Sequence, residues 1–427
     1  MRYLFGSYFD LDKPLRRWPE LYTRGNPMAN PGDMVYAAGM MNVLRTGEDD
    51  AFIPTGYGSY NGGLPLELDE INETCDACVL PFSDHLRDDR RDLLNRYAAL
   101  VEKLKIPVVV PCIGVRAGKA SEMTDAAARR FVSAVLDKSA MIGLRGETTA
   151  RYLERLGFVR DRHFRVVGCP SFYAAGPELP ALSWPERPES CAFGLNFRAG
   201  KAVNRFLLDS ARTAPRRFNV SQSWPECAYY FLSTRAKDDR THRVPWFRKM
   251  VASTIRDGTY RYFFNLNDWK RCLRSCDCSV SCRIHGTILA LLCGVPSVIV
   301  PFESRTRELA EFHAVPGVLP GEIGRGDTVA KFAGRFDFEA MRKRHRGNFA
   351  AFLDFLHRNG LRTAFDDGGS VRPGRGADVF AADIPCERLK PRYKASRAVR
   401  IWRGALWSGL VRYRAFRRRR PVGIPVG

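Results

Sequence analysis

The chain has 427 residues, enough for two domains of ordinary size, and its 45% hydrophobic and 27% charged content fits a soluble globular fold rather than a disordered or membrane-embedded one. The formal net charge is +22, but thirteen Lys and Arg fall without an acid in residues 388–420, which leaves only about +9 elsewhere. That asymmetry speaks against a wholly nucleic-acid-binding domain and for a milder body carrying a basic tail.

No signal pattern opens the chain, because Asp10, Asp12 and Lys13 come too soon for an apolar h-region. The nearest approach to a membrane span, which needs about eighteen apolar residues, is 286–302, and Pro296 interrupts it. A cytoplasmic location is expected, and with it reduced thiols for the twelve cysteines. Cys75 and Cys78 lack a matching second pair, and Cys272, Cys276, Cys278 and Cys282 fit neither a zinc ribbon nor a ferredoxin spacing, so no metal is expected.

In chain order, residues 2–8 read as an edge or first strand and 34–44 as a helix. Residues 77–81 and 108–113 are short apolar runs touched by prolines, as buried parallel strands are. Residues 124–139 carry Ala128, Phe131, Val132 and Val135 on one helical stripe. A strand over 141–144, a helix over 148–156 and a strand over 165–167 follow, and the last ends in a tight turn at Gly168, Cys169, Pro170 and Ser171. Four prolines between 176 and 190 mark a linker. Strand signals resume at 191–196, a helix ends near Cys276, and a final amphipathic helix carries Phe338, Met341, Phe349, Phe352 and Leu356. The division predicted is an α/β domain over 1–175, a linker over 176–190, a second α/β domain over 191–335, a helical segment over 336–370 and a basic tail over 371–427.

Residues 278–287 hold the most pointed chemistry: a strand expected to end in Arg283 and His285, then a helix over 288–293 and a buried strand over 295–300. Alternate residues on a strand share a side, so both are expected to point into one crevice beyond the strand ends. An arginine fork beside an imidazole suits an anionic substrate that also needs a proton moved. Asn30, Pro31, Gly32 and Asp33 precede a helix, where Gly32 permits close approach and Asp33 is a candidate N-cap or base. Arg145 lies at a strand end, with Glu147 available as an ion-pair partner. The glycine-rich stretch 56–63 fits neither the dinucleotide nor the Walker pattern and reads as a surface loop.

Taken in order, these pieces resemble the polysaccharide pyruvyl transferase family over roughly residues 28–320. The marks are the Asn-x-Gly-Asp turn at 30–33, an arginine and an acid before a hydroxyl-bearing helix at 144–149, and the Gly-x-Pro turn at 168–170. The strongest is Arg283-x-His285-Gly286 followed by a helix and Gly294-x-Pro296. Gly146 stands between arginine and acid, and Glu303-Ser304-Arg305 replaces an acid-x-lysine pair, which keeps the charges but changes their geometry.

The resemblance implies two Rossmann-like domains arranged as in GT-B glycosyltransferases, with a cleft between them. It also implies transfer of pyruvate from phosphoenolpyruvate to hydroxyls of a glycan or its lipid-linked precursor, forming a ketal without a cofactor. On that reading His285 is the acid/base, Arg283 and Arg145 hold substrate anions with Arg305 beside them, and Asn30, Gly32, Asp33, Gly168, Ser171 and Glu303 shape the binding cleft.

Two other readings compete. One is a GT-B glycosyltransferase that uses a nucleotide sugar, with Glu303 or Glu308 on the donor ribose. The other is a non-catalytic protein that binds nucleic acid or anionic glycan through its basic surface, although no nucleic-acid module pattern is present and no such partner is expected. In the tail, Val399, Trp402, Leu406, Leu410 and Tyr413 recur at helical spacing beside Arg397, Arg400, Arg412 and Arg414. That pattern predicts a peripheral contact with an anionic membrane surface.

Overall fold

A computed structural model describes residues 1–7, 30–55, 64, 66–116, 118, 120–223, 226, 244–263 and 265–368, with Ala405, Leu406 and Gly409. The loop 56–63 and the rest of the tail lie outside the described residues.

The fold is mixed α/β, built on parallel sheets. Strands β1 (Arg2–Phe5), β2 (Ala51–Pro54), β3 (Ala77–Pro81) and β4 (Val108–Cys112) form the first sheet in the order β2-β1-β3-β4. All its pairings are parallel. Of the two places expected for residues 2–8, β1 is the first strand of the chain but lies inside its sheet rather than at the edge, and its run of buried residues agrees with that place. A further parallel pair, β5 (Ile142–Leu144) and β6 (Phe164–Val166), docks on the β4 side through the Ile113–Leu144 bridge.

Around these strands run α1 (Gly32–Leu44), α2 (Leu68–Thr74), α3 (Arg91–Lys103), α4 (Glu122–Leu136) and α5 (Glu147–Arg155). The stripe predicted on α4 is buried.

The second sheet holds β7 (Ser190–Gly194), β8 (Arg216–Val220), β9 (Tyr260–Arg261), β10 (Cys278–Ser281) and β11 (Ser297–Ile299) in the order β11-β10-β7-β8-β9, again all parallel. Its helices are α6 (Gly200–Arg212), α7 (Pro245–Arg256), α8 (Leu266–Arg274), α9 (Ile284–Leu292) and α10 (Ser304–Phe312). The strand order reverses between β7 and β10. In open parallel sheets the crevice beyond such a switch point, at the carboxyl ends of the strands, is where ligands bind.

One buried cluster takes side chains from both sheets, from α1 and from the last helix, α11 (Phe338–Arg358), while a second fills the far face of the first sheet against α3 and α4. Helix α11 and the residues after it reach back toward the first sheet. Phe352 stacks on Tyr173 at 4.4 Å, the Asn359 side chain accepts from the Met141 N–H at 3.2 Å, and the Ala364 N–H donates to the Val43 carbonyl at 2.8 Å.

The motif expected at the end of β10 sits differently. The strand stops at Ser281, whose Oγ accepts from the Arg283 N–H at 3.0 Å and helps turn the chain. Helix α9 then starts four residues earlier than expected, with Arg283 as its N-cap and His285 in its first turn. The two side chains thus do not alternate along a strand, and they diverge: Arg283 reaches toward the end of β8, and His285 faces α1.

Candidate functional site

Both sheets turn their strand ends toward one cluster of charge. After β3 come Asp84 and Arg87, after β4 Arg116, and after β5 Arg145. From the second sheet come Arg198 after β7, Arg283 after β10, and Glu303 and Arg305 after β11. Asp84 is the hub. It pairs with Arg87 at 3.2 Å, with Arg116 at closer range, and with Arg305 from the other sheet at 3.4 Å. Burial pulls its carboxyl upward, but Arg305, Arg87, Arg116 and Arg145 together hold it well below the usual carboxylate range. Arg305 also pairs with Glu303.

Positive charge outweighs these acids. On the rim, partial burial and the Arg116 charge push the Arg198 guanidinium down from its ordinary value; Glu303 opposes this, and Arg305 and Arg283 add to it. Arg145 lies beneath, fully buried, with its Nε donating to the Cys112 Sγ at 3.2 Å. Both its terminal nitrogens lack a hydrogen-bond partner among the described residues, as do the Nε atoms of Arg116, Arg283 and Arg305, whereas the Arg87 Nε pairs with Asp89 at 3.1 Å. A buried guanidinium without a carboxylate in contact costs several kcal/mol, which is seldom retained without use. The ion-pair partner expected for Arg145 is elsewhere: Glu147 holds Arg160 through two bonds of 2.9 and 2.7 Å on the outer surface.

His285 adjoins this cluster from the α9 side. Its Nε2 lies 3.8 Å from the Cys169 Sγ, and its ring tilts over Tyr36 with centroids 5.4 Å apart. The Cys169 thiol interacts with the Cys112 thiol, so two sulfurs separate His285 from Arg145. A β-carbon on Gly32 would stand 3.1 Å from the His285 Nδ1 and 2.9 Å from the Gln222 Oε1, so this glycine lets α1 close on both. Asp33 is not an N-cap. Pro31 occupies that position, the Asn30 Oδ1 accepts from the Gly32 N–H at 3.0 Å, and the Asn30 amide donates to the Asp33 Oδ1 at 3.2 Å. Arg283 donates to the Gln222 carbonyl at 3.1 Å.

The Gly168–Ser171 turn supports His285 from behind. Ser171 is fully buried with its hydroxyl 3.1 Å from the Cys169 Sγ. Gly168 has φ +77°, and a β-carbon there would overlap the His313 ring, whose Nε2 accepts from the Cys169 N–H at 3.0 Å. Gly168→Ala therefore combines backbone strain with a steric clash. A loss of at least about 2 kcal/mol is expected, read as a lower midpoint in urea unfolding with an unchanged slope.

Residues that lay unremarked in the sequence are Asp84, Arg87, Arg116, Arg198 and Gln222. Asp84 and Arg116 follow directly on the apolar runs 77–81 and 108–113, so the rule that ligands gather beyond strand ends points at both.

No helix among the described residues is long and apolar enough to cross a membrane. No curated protein matches this chain. Among solved structures, an uncharacterised protein from Klebsiella pneumoniae is 12% identical, with 74% of this chain and 92% of that one covered at a TM-score of 0.33. The glycosyltransferase SnogD from Streptomyces nogalater is 13% identical, with 81% and 82% covered at a TM-score of 0.29. The sequence profile of the family described as polysaccharide pyruvyl transferase matches residues 7–304, which span Asp84, Arg145, the Gly168 turn, Arg283 and His285. With well over half of its length matched, this chain belongs to the polysaccharide pyruvyl transferase family.

Proposed function

We propose that the protein transfers the pyruvyl group of phosphoenolpyruvate to two hydroxyls of a sugar in a polysaccharide or its lipid-linked precursor, closing a cyclic ketal and releasing phosphate. The observation that carries this reading is the excess of guanidinium groups at the strand ends, several with buried nitrogens that lack a hydrogen-bond partner among the described residues. Phosphoenolpyruvate brings a carboxylate and a phosphate, the two groups that arginine forks hold best. Arg283 and Arg305 are partly exposed and are assigned to direct contact; Arg145 supplies charge from below.

The chemistry asks for one proton to be delivered to the methylene carbon and for each attacking hydroxyl to lose one. Protonation makes C2 electrophilic, the first hydroxyl adds there, phosphate leaves with the C–O electron pair, and the second hydroxyl closes the ring. His285 is the positioned acid/base for these transfers, and the arginines stabilise the charge that grows on the departing phosphate. Asn30 and Asp33, at the start of α1, stand on the acceptor side. The nucleotide-sugar reading loses its carboxylates, because Glu303 is paired with Arg305 and Glu308 is turned onto Thr149.

The test is incubation with phosphoenolpyruvate and nitrophenyl or lipid-linked glycosides. Phosphate release coupled to the mass gain of a ketal is the expected result. Thermal protection by nucleotide sugars and none by phosphoenolpyruvate would overturn the assignment.

A further inference from the structure

Glu308 is a buried carboxyl that the reaction above does not use. It lies on α10, 3% exposed, and both its oxygens face Thr149 of α5. The Thr149 N–H donates to Oε2 at 3.2 Å and the Thr149 hydroxyl lies 3.1 Å from Oε1. Two glycines let it come this close to the anion site. A β-carbon on Gly114 would be 2.8 Å from the Arg145 Cδ and 3.5 Å from the Glu308 Oε1, and one on Gly146 would meet the Glu308 side chain at 2.9 Å. Gly146, the residue set between arginine and acid in the sequence motif, thus makes room for Glu308. The carboxyl and Arg145 are packed around the same point, yet no ion pair joins them: Arg145 spends its Nε on Cys112, and Glu308 spends both oxygens on Thr149.

We propose that Glu308 is a positioning residue of the anion site, which when ionised opposes the field that Arg145 exerts on a bound dianion and when protonated leaves that field undiminished. The inference rests on reading the arginine cluster as the donor-anion site. The charges that bear on Glu308 are Arg145 from the end of β5 and Glu311 from its own helix; Arg145 in turn faces Asp84 and Arg305. Burial pushes the Glu308 carboxyl up to about 7, against the downward pull of the Thr149 hydrogen bonds and Arg145. Its charge therefore changes across the neutral range. Because the neutral form suits the anion-loaded site, affinity for a dianion is full below that value and falls as pH rises through it.

Sulfate is the probe, since it stays a dianion throughout, and calorimetry on the full-length protein from about pH 6 to about pH 8.5 at constant ionic strength is the measurement. The wild-type dissociation constant is expected to rise on the order of 10-fold across this range. Glu308→Gln keeps an acceptor for the Thr149 N–H and removes the charge, so its affinity should stay flat at the tight value. His285→Gln removes the imidazole beside the site, and the slope should survive in that variant, which decides the matter even where Glu308→Gln does not fold. A wild-type slope in Glu308→Gln, or a flat profile in His285→Gln, overturns the proposal and leaves the anion site standing. Failure of sulfate to bind at any pH overturns the anion site itself.

Discussion

Replacing His285 with alanine is expected to lower turnover at least about 100-fold while the protein still folds, the size of effect seen when a positioned acid/base is removed. The ring belongs to the first turn of α9 and touches Cys169 and Tyr36 at its edges, so its loss leaves a modest space rather than a broken network. Arg283→Ala should cost a similar factor by a different route. Its guanidinium reaches the Gln222 carbonyl beyond the end of β8, and its loss should appear mainly as a raised KM for phosphoenolpyruvate, with the KM for the acceptor changed little. Circular dichroism and thermal melting provide the folding control for both. Near wild-type turnover in folded His285→Ala would remove His285 from the chemistry and leave the arginines as an anion site without an assigned acid/base.

Arg145→Lys should reduce kcat/KM for phosphoenolpyruvate by about 100-fold with little change in acceptor KM. Lysine keeps the charge but presents a point cation in place of a planar fork. It also gives up the bond from Nε to the Cys112 Sγ that fixes the side chain under the cleft. Because Arg145 is fully buried, the substitution additionally tests how the site uses a charge placed behind the contacting residues. Kinetics with each substrate varied in turn separate the outcomes. A change confined to the acceptor KM would assign Arg145 to the sugar side of the cleft.

The Asp84 hub gives these two results a common cause. Arg305 from one sheet and Arg87 and Arg116 from the other meet on a single carboxylate, which places the guanidinium groups near one another without letting them cancel. Six arginines facing three paired acids, Asp84, Asp89 and Glu303, leave a net positive field at the strand ends among the described residues, and clefts of one sign concentrate anions.

Much of this architecture was legible in the chain alone. Parallel strands buried on both faces need continuous apolar runs, and 77–81 and 108–113 show them, so both strands appear almost where read. Helix α4 follows its apolar stripe because a surface helix must bury one face. The ordered motifs from Asn30 to Pro296 were likewise readable, since each is a local pattern of turn residue, charge and helix start. What only the tertiary structure decided depends on neighbours distant in sequence. Strand order put β1 inside its sheet, and the reversal between β7 and β10 put Arg198 beside Arg283 at a switch point. The start of α9 moved because Ser281 turns the chain through a side-chain bond, which hydrophobic period does not register. Asp84 and Glu308 look like ordinary surface acids in the sequence. Their burial beside Arg305 and Arg145 follows from packing 221 and about 160 residues apart; the gathered arginines hold Asp84 ionised against that burial, whereas burial brings Glu308 to titrate near neutrality.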